Sequence, residues 1–204
     1  MPHVIMIPKD GVIGNQPEFL IMDTDDKKKM AVDFRMDYLE KQCSNLSQLF
    51  WSINKPDRLT LLSLLTGIYS FNGEYEDILR DAWVSTEFPH QMPIKRLTAL
   101  FEQADLDKMM DDTEKAKLLA LPDEITIYRG LPDQRAKKKG LSWSVNRNKA
   151  MWFATRWNSK KARLVTAKIN KKNVYMYTDA RKEEEVVVNP ARLKIIETTQ
   201  GITL

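Results

Sequence analysis

Late in the chain the sequence reads Glu183-Glu184-Glu185-Val186-Val187-Val188-Asn189-Pro190, a Glu-x-Glu pair directly before an apolar run. Residues two apart in a strand point to the same face, so Glu183 and Glu185 are expected to project together while Glu184 points outward into solvent. Two neighbouring carboxylates repel each other, which favours a site for a cation, a proton or a sugar hydroxyl. The alternative is a solvated charge cluster on an edge strand, because charge runs usually lie at the surface.

A second motif lies upstream, at Ile125-Thr126-Ile127-Tyr128-Arg129-Gly130. Apolar and polar residues alternate in it, which predicts a half-buried strand that ends at Gly130. Arg129 is then expected at the end of the strand. A guanidinium in that place can bind a phosphate through two parallel hydrogen bonds.

The third motif is Gly140-Leu141-Ser142-Trp143-Ser144. Strand alternation predicts that Ser142 and Ser144 share one face and that Trp143 lies on the opposite, apolar face. An amphipathic helix is expected to follow near residues 147–157, with Asn146 as its N-terminal cap. Its apolar positions at helical spacing are Ala150, Phe153, Ala154 and Trp157.

The order of these motifs resembles the Arg-Ser-Glu signature of NAD-dependent mono-ADP-ribosyltransferases, including toxin-like bacterial and phage members. The resemblance covers roughly residues 124 to 197 and includes the helix that follows the serines. One departure is Trp143, which stands where many members carry Thr in a Ser-Thr-Ser box. We expect this tryptophan to pack into the core and the flanking hydroxyls to keep their place.

The resemblance also implies a role for each motif. Glu185 would stabilise the positive charge that develops on the ribose as NAD is cleaved, and Ser142 would orient it. Glu183 would orient or deprotonate an acceptor, typically a target arginine. Four residues are implied in binding of the cofactor: Arg129, Gly130, Ser142 and Ser144. Of these, Ser144 would support the site from behind the residues that contact NAD. Phe153 is a candidate for stacking on nicotinamide, although its helical spacing favours a core position.

Composition limits the remaining classes of function. The 204 residues contain one cysteine, Cys43, and two distant histidines, so neither an internal disulfide nor a zinc cluster is expected. Phosphate-loop and Rossmann fingerprints are absent, so NAD would bind outside a Rossmann fold. No metal cofactor is expected. The sequence also lacks an apolar run of membrane-spanning length and a signal peptide, which predicts a cytoplasmic protein without membrane contact.

Charge is distributed unevenly along the chain. Residues 129–182 contain 16 Lys and Arg but only two acidic residues, a net charge of +14, whereas residues 1–128 carry −8. A basic surface of this size attracts polyanions, so RNA or DNA is a possible partner. The alternatives are a solubilising surface and a face that docks on the acidic part of the chain.

The predicted fold class is α+β, with a mainly helical region at 1–122 before a strand-rich catalytic core at 123–204, or with both in one compact unit. A hairpin is expected within residues 1–22, and helical spacing is found from about 28 to 53 and again up to 121. Six strands are predicted in the second part, at 125–128, 141–145, 163–169, 174–177, 184–188 and 192–196. The helical region shows no chemistry of its own and is expected to shape the cleft or select the target.

The sequence therefore predicts a mono-ADP-ribosyltransferase that modifies a protein arginine or a nucleic acid. A toxin-like effector, active in the cytoplasm and with an antitoxin as a further partner, fits this prediction. One alternative is an NAD glycohydrolase, in which water replaces the acceptor. The other is a non-catalytic nucleic-acid-binding module on the same scaffold.

Overall fold

The structure is a computed structural model that describes residues 3–7, 18–22, 50, 55–66, 71, 73–86, 92–133, 136–157 and 160–202, with the backbone alone at 3–7, 18–22 and 56. The chain divides into two compact units, Met1–Pro93 and Ile94–Leu204. The boundary predicted between residues 122 and 123 marks the change from helices to strands along the sequence. In the structure, the two helices that directly precede that boundary belong to the unit that contains the large sheet.

The elements of the first unit that the structure describes with their bounds are a two-stranded hairpin and two helices. Strands β1 (His3–Ile7) and β2 (Glu18–Met22) pair antiparallel, as the predicted hairpin requires, while residues 8–17 between them lie outside the described part. Helices α1 (Lys55–Leu65) and α2 (Tyr75–Ser85) bury apolar residues at helical spacing, among them Leu59, Leu62, Ile78 and Leu79. The Arg58 guanidinium on α1 donates a hydrogen bond to the Ser85 hydroxyl on α2 at 3.0 Å. The predicted helix at 28–53 lies outside the described residues except at its end.

The second unit is built on a six-stranded antiparallel sheet of order β6-β7-β4-β3-β5-β8. Its strands are β3 (Glu124–Leu131), β4 (Ser142–Ser144), β5 (Arg163–Asn170), β6 (Val174–Thr178), β7 (Glu185–Val188) and β8 (Lys194–Gln200). Each predicted strand of the second part overlaps one of these. The mixed helix-and-strand class is thereby confirmed. Several boundaries differ from the predicted ones: β3 does not end at Gly130 but continues to Leu131, and β8 continues to Gln200 instead of ending at 196.

Three helices accompany the sheet in the described residues: α3 (Ile94–Glu102), α4 (Asp112–Ala120) and α5 (Arg147–Thr155). The cap of α4 is Asp111, whose carboxylate accepts from the Glu114 amide at 2.8 Å while Glu114 accepts from the Asp111 amide. This reciprocal capping box satisfies two backbone amides at once, which explains why the helix begins at Asp112.

One face of the sheet forms the apolar core of this unit. Trp143 on β4 lies opposite Val186 on β7, and both are buried, as predicted for the tryptophan. The indole nitrogen of Trp143 donates to the Gly140 carbonyl at 2.7 Å, so its one polar group is satisfied inside the core. Ile125 and Ile127 on β3 belong to the same cluster.

Helix α5 packs on the other face of the sheet, at Gly130. A methyl group at Gly130 would lie 1.9 Å from the Ala150 carbonyl oxygen and 2.6 Å from the Ala154 amide nitrogen. Glycine is therefore required by the close approach of the helix. Ala150 and Ala154 are buried as predicted, but the helix ends at Thr155 and Trp157 is exposed, so the predicted apolar stripe is shorter than expected.

Candidate active site

The face of the sheet opposite the core carries the polar residues of the predicted motifs. Ser144 on β4 pairs with Glu185 on β7, and Tyr128 on β3 pairs with Ser144 from the other side. Glu185 is only 3% exposed and Ser144 is also buried. Because Gly130 lies two residues from Tyr128, helix α5 covers the same face. A carboxylate and a hydroxyl thus lie side by side in a largely enclosed place.

The turn before β7 has an unusual backbone. Lys182 and Glu184 have φ angles of 57° and 48°, a left-handed conformation that costs a non-glycine residue roughly 1–2 kcal/mol. The Glu184 amide donates to the Asp179 carboxylate at 3.2 Å, and the Asn146 side chain donates to the Glu184 carboxylate at 2.9 Å. Glu184 is therefore half-buried rather than exposed as expected, and its side chain anchors the turn to the start of α5.

The Ser144 hydroxyl joins the strand to the same turn. It donates to the Glu183 carbonyl at 2.8 Å and accepts from the Asn146 amide at 3.0 Å. Asn146 also caps α5 through its side-chain oxygen, as predicted, by accepting from the Asn148 and Lys149 amides. Ser144 therefore positions the Glu-x-Glu segment through hydrogen bonds.

Ser142 lies on the same face as Ser144 but contributes differently. It pairs with Val187, and the hydrogen bond described for it uses its backbone carbonyl, which accepts from the Arg129 guanidinium. The direct cross-strand neighbours of Glu185 are Ser144 on β4 and Thr178 on β6. The expectation that Ser142 orients the carboxylate remains a prediction.

One arginine contacts both carboxylates of the Glu-x-Glu pair. A guanidinium nitrogen of Arg181 lies 2.9 Å from a carboxylate oxygen of Glu183 and 3.2 Å from one of Glu185. The two carboxylates therefore meet at one point, as expected, although Glu183 lies in the turn before β7 and not in the strand that the prediction assumed. The pair holds a cation, which is one of the conditions that allow two carboxylates to lie together.

The two carboxylates differ in environment. Burial raises the pKa of Glu183, and the charge of Arg181 acts against this rise while the neighbouring Glu185 carboxylate adds to it. Glu185 is the more deeply buried of the two, and its side chain is 4% exposed against 21% for Glu183. Glu183 is thus the more accessible group and the one better suited to exchange a proton with a second molecule.

Arg129 approaches the site from a neighbouring strand. It pairs with Val165 on β5, so alternation assigns it to the core face rather than to the face of Ser144 and Glu185. Its guanidinium donates a hydrogen bond to the carbonyl of Ser142, the first residue of β4. Burial lowers the pKa of Arg129 to about 10, and the Glu185 carboxylate acts in the opposite direction. Arg129 remains charged at neutral pH and lies within electrostatic reach of Glu185.

The room for this guanidinium comes from Gly140. A methyl group there would lie 2.8 Å from the guanidinium carbon of Arg129 and equally close to one of its terminal nitrogens. The Nε atom of Arg129 is buried and has no hydrogen-bond partner within the described part of the chain. A buried cation with an unused donor is suited to an anionic ligand such as a phosphate.

The described residues contain no group of three or more histidine, cysteine, aspartate or glutamate side chains arranged to hold a metal ion. None of the helices within the described ranges is long and apolar enough to cross a membrane. No protein-family model, curated protein or solved structure matches this chain.

Four residues near the site were missed by sequence reasoning. They hold the carboxylates, the turn and the guanidinium in place: Gly140, Asn146 in its contact with Glu184, Asp179 and Arg181. The sequence did contain a signal for Arg181. It lies two residues before Glu183 and four before Glu185, and from a turn an arginine at that spacing can reach both carboxylates. For Gly140 no signal was present, since its role depends on the side chain of Arg129 on another strand.

Proposed function

We propose that this protein is an NAD-dependent mono-ADP-ribosyltransferase whose site is built by β3, β4 and the turn into β7. The observation that supports this most strongly is the pairing of buried Ser144 with buried Glu185, next to a second carboxylate on Glu183. A deeply buried carboxylate can stabilise a positive charge that develops beside it in a transition state.

Cleavage of NAD makes that requirement specific. The bond between C1′ of the ribose and nicotinamide breaks with oxocarbenium character, and its electron pair leaves with nicotinamide. A carboxylate beside the ring stabilises the positive charge, as carboxylates do in glycoside hydrolysis. Glu185 is proposed for this role because it is held rigidly on β7 and is shielded from water.

The acceptor is proposed to meet Glu183. The nucleophile of the acceptor forms a new bond to C1′, and its proton passes to the Glu183 carboxylate. Burial raises the pKa of Glu183, against the charge of Arg181, which brings the group closer to the range where a base works at neutral pH. Because Arg181 contacts both carboxylates, it is expected to turn aside when substrates bind.

The cofactor's phosphates are proposed to bind at Arg129. Its charge and its unused Nε donor support this assignment, as does the space at Gly140. Strand alternation places Arg129 on the core face, which supports a different role. In that role the Arg129 guanidinium holds the start of β4 by donating to the Ser142 carbonyl. These roles differ in whether NAD affinity or stability depends on the guanidinium.

An NAD glycohydrolase is the second candidate. It needs Glu185 but not a carboxylate for an acceptor, and Glu183 is already engaged in an ion pair with Arg181. In that case water attacks C1′ and free ADP-ribose is the product. The two functions share the first bond cleavage and differ in the fate of ADP-ribose.

The experiment that separates the candidates uses NAD labelled in its adenylate part. The protein is incubated with this NAD and a whole-cell lysate, which is then divided into protein and nucleic-acid fractions. A transferase places label in one fraction, whereas a glycohydrolase leaves it as free ADP-ribose. If nicotinamide is released neither with lysate nor without it, both candidates are rejected and a non-catalytic binding module is favoured.

We also propose that the protein acts as a toxin in the cytoplasm of the cell that produces it. This proposal rests on the single cysteine and on the consumption of NAD that the chemistry implies. Induced expression should slow growth and lower cellular NAD, and Glu185→Gln should relieve both. Equal growth inhibition by parent and variant would reject the toxin-like role, and suppression by a co-expressed neighbouring gene product would identify an antitoxin.

A further inference from the structure

Aromatic rings surround one arginine at the C-terminal end of α5. The guanidinium carbon of Arg156 lies 4.4 Å from the ring centre of Trp157, 5.0 Å from that of Phe153 and 5.4 Å from that of Trp152. Trp152 and Trp157 are 51% and 54% exposed, whereas Trp143 is buried. Two half-exposed indoles beside a cation leave large aromatic faces open to a ligand. We refer to Trp152, Phe153, Arg156 and Trp157 as the aromatic platform.

The sequence around the platform is strongly basic. Residues 147–163 include six Lys and Arg and no Asp or Glu. Arg147, Lys160 and Lys161 among them are exposed. An apolar docking surface for a neutral partner has no need for this charge, so the expected ligand carries repeated negative charges.

Flat aromatic faces and repeated cations together match one class of polyanion. In single-stranded nucleic acids the bases are free to stack on aromatic side chains, while the phosphates pair with Lys and Arg. A duplex hides the faces of its bases, and an acidic protein has few groups that stack on an indole. We propose that the aromatic platform binds single-stranded nucleic acid, with bases on Trp152 and Trp157 and phosphates on the surrounding basic residues.

The platform also lies within electrostatic reach of the candidate site. Burial raises the pKa of Glu183, and Arg156 is one of the cations whose charge opposes this rise. A strand bound on the platform would therefore pass near the carboxylate that is proposed to meet the acceptor. Its role as the acceptor rests on the proposed function, whereas the binding itself does not.

Binding is measured with the full chain and fluorescein-labelled oligonucleotides of about 20 nucleotides, long enough to exceed common single-strand site sizes. Oligo-dT, oligo-U and a duplex are titrated at about 50 and 200 mM salt. We expect saturable binding of the single strands that weakens with salt, and weaker binding of the duplex. The comparison of oligo-dT with oligo-U identifies whether DNA or RNA is preferred.

The decisive variants remove the stacking faces. Trp152→Ala and Trp157→Ala should each weaken single-strand binding roughly 5- to 150-fold, the range found when a base loses its aromatic partner. Leu119→Ala is the matched control, since Leu119 is a large apolar residue on α4 that is 74% exposed. Lys160→Ala should weaken binding less and lower the salt dependence by about one charge.

Three results would overturn the proposal: no saturable binding of either single strand, duplex binding as tight as single-strand binding, or tryptophan variants that bind like Leu119→Ala. Release of nicotinamide from NAD is measured on the same preparations. Release without oligonucleotide binding rejects the platform alone. Binding without release rejects the proposed enzyme and leaves the platform in place.

Discussion

Strands β4 and β7 present two different faces, and the same few residues build both. On one face Trp143 lies opposite Val186 inside the apolar core. On the other face Ser144 lies opposite Glu185, next to the turn that carries Glu183. A slip of β7 by one residue would turn Glu185 into the core, and the same slip of β4 would expel Trp143. The apolar face therefore fixes the register that brings the polar groups together.

This comparison separates stability from chemistry. Substitutions of apolar residues on the core face are expected to change the free energy of unfolding, while substitutions on the polar face are expected to change reactions of NAD without unfolding the protein.

Trp143→Ala should be the most destabilising of these changes. It removes a buried indole and its hydrogen bond to Gly140, which is expected to lower the free energy of unfolding by about 3–5 kcal/mol. Chemical denaturation measures the loss. The exposed Trp152 provides the control, because Trp152→Ala should stay within about 0.5 kcal/mol of the parent. Equal stability of the two variants would contradict the assignment of the core face.

Glu183→Gln should separate transfer from hydrolysis. Modification of the acceptor is expected to fall by about 100-fold, the low end for removal of a general base, while nicotinamide is still released slowly because water replaces the acceptor. Both products are measured in one reaction. If both activities fall together, Glu183 belongs to the cleavage of NAD or to the structure of the turn.

Arg129→Lys should weaken binding of NAD by about tenfold or more, because lysine keeps the charge but loses the forked donors. Gly140→Ala is a second probe, since its methyl group displaces the flexible guanidinium while Arg129 itself remains. Calorimetry with NAD and thermal unfolding are measured on both variants. Unchanged NAD affinity with reduced stability would assign Arg129 to the start of β4 and remove it from the site.

Arg181→Ala should give the smallest effect, a shift in pH dependence. Burial raises the pKa of Glu183 and the Arg181 charge lowers it, so loss of Arg181 raises the pKa further. Transfer that needs the Glu183 carboxylate increases as pH rises through this pKa, so the acid limb of the pH profile should move to higher pH. Lys172→Ala removes an exposed cation and should leave the limb in place. A limb that stays fixed in Arg181→Ala would show that Glu183 does not control it.

Much of the sheet could be predicted from sequence because its strands follow local patterns. Alternation at Ile125 and Ile127, and the apolar run that begins at Val186, gave strand positions within a few residues of those observed. The cap of α5 at Asn146 was also predicted and confirmed. In each case the signal and the structure lie within one short segment.

The candidate site was less predictable because its contacts join distant segments. Ser144 bonds to Glu183, 39 residues away, and Asn146 bonds to Glu184, 38 residues away. Strand alternation alone placed Glu184 in solvent, whereas the left-handed turn redirects it. Helical spacing likewise predicted that α5 continues to Trp157, whereas the helix ends at Thr155. The spacing of apolar residues does not show where the packing of the helix against Gly130 ends.

The most direct test of the central claim compares nicotinamide release from NAD by the parent, Glu185→Gln and Glu184→Gln. Loss of the Glu185 charge should reduce release by about 10²–10³-fold, or roughly 3–4 kcal/mol of transition-state stabilisation, with thermal unfolding like that of the parent. Glu184→Gln is the matched control, because glutamine keeps an oxygen for the bond from Asn146, and it should release nicotinamide at nearly the parent rate. Near-full release by folded Glu185→Gln would contradict the assignment of Glu185 as the catalytic carboxylate.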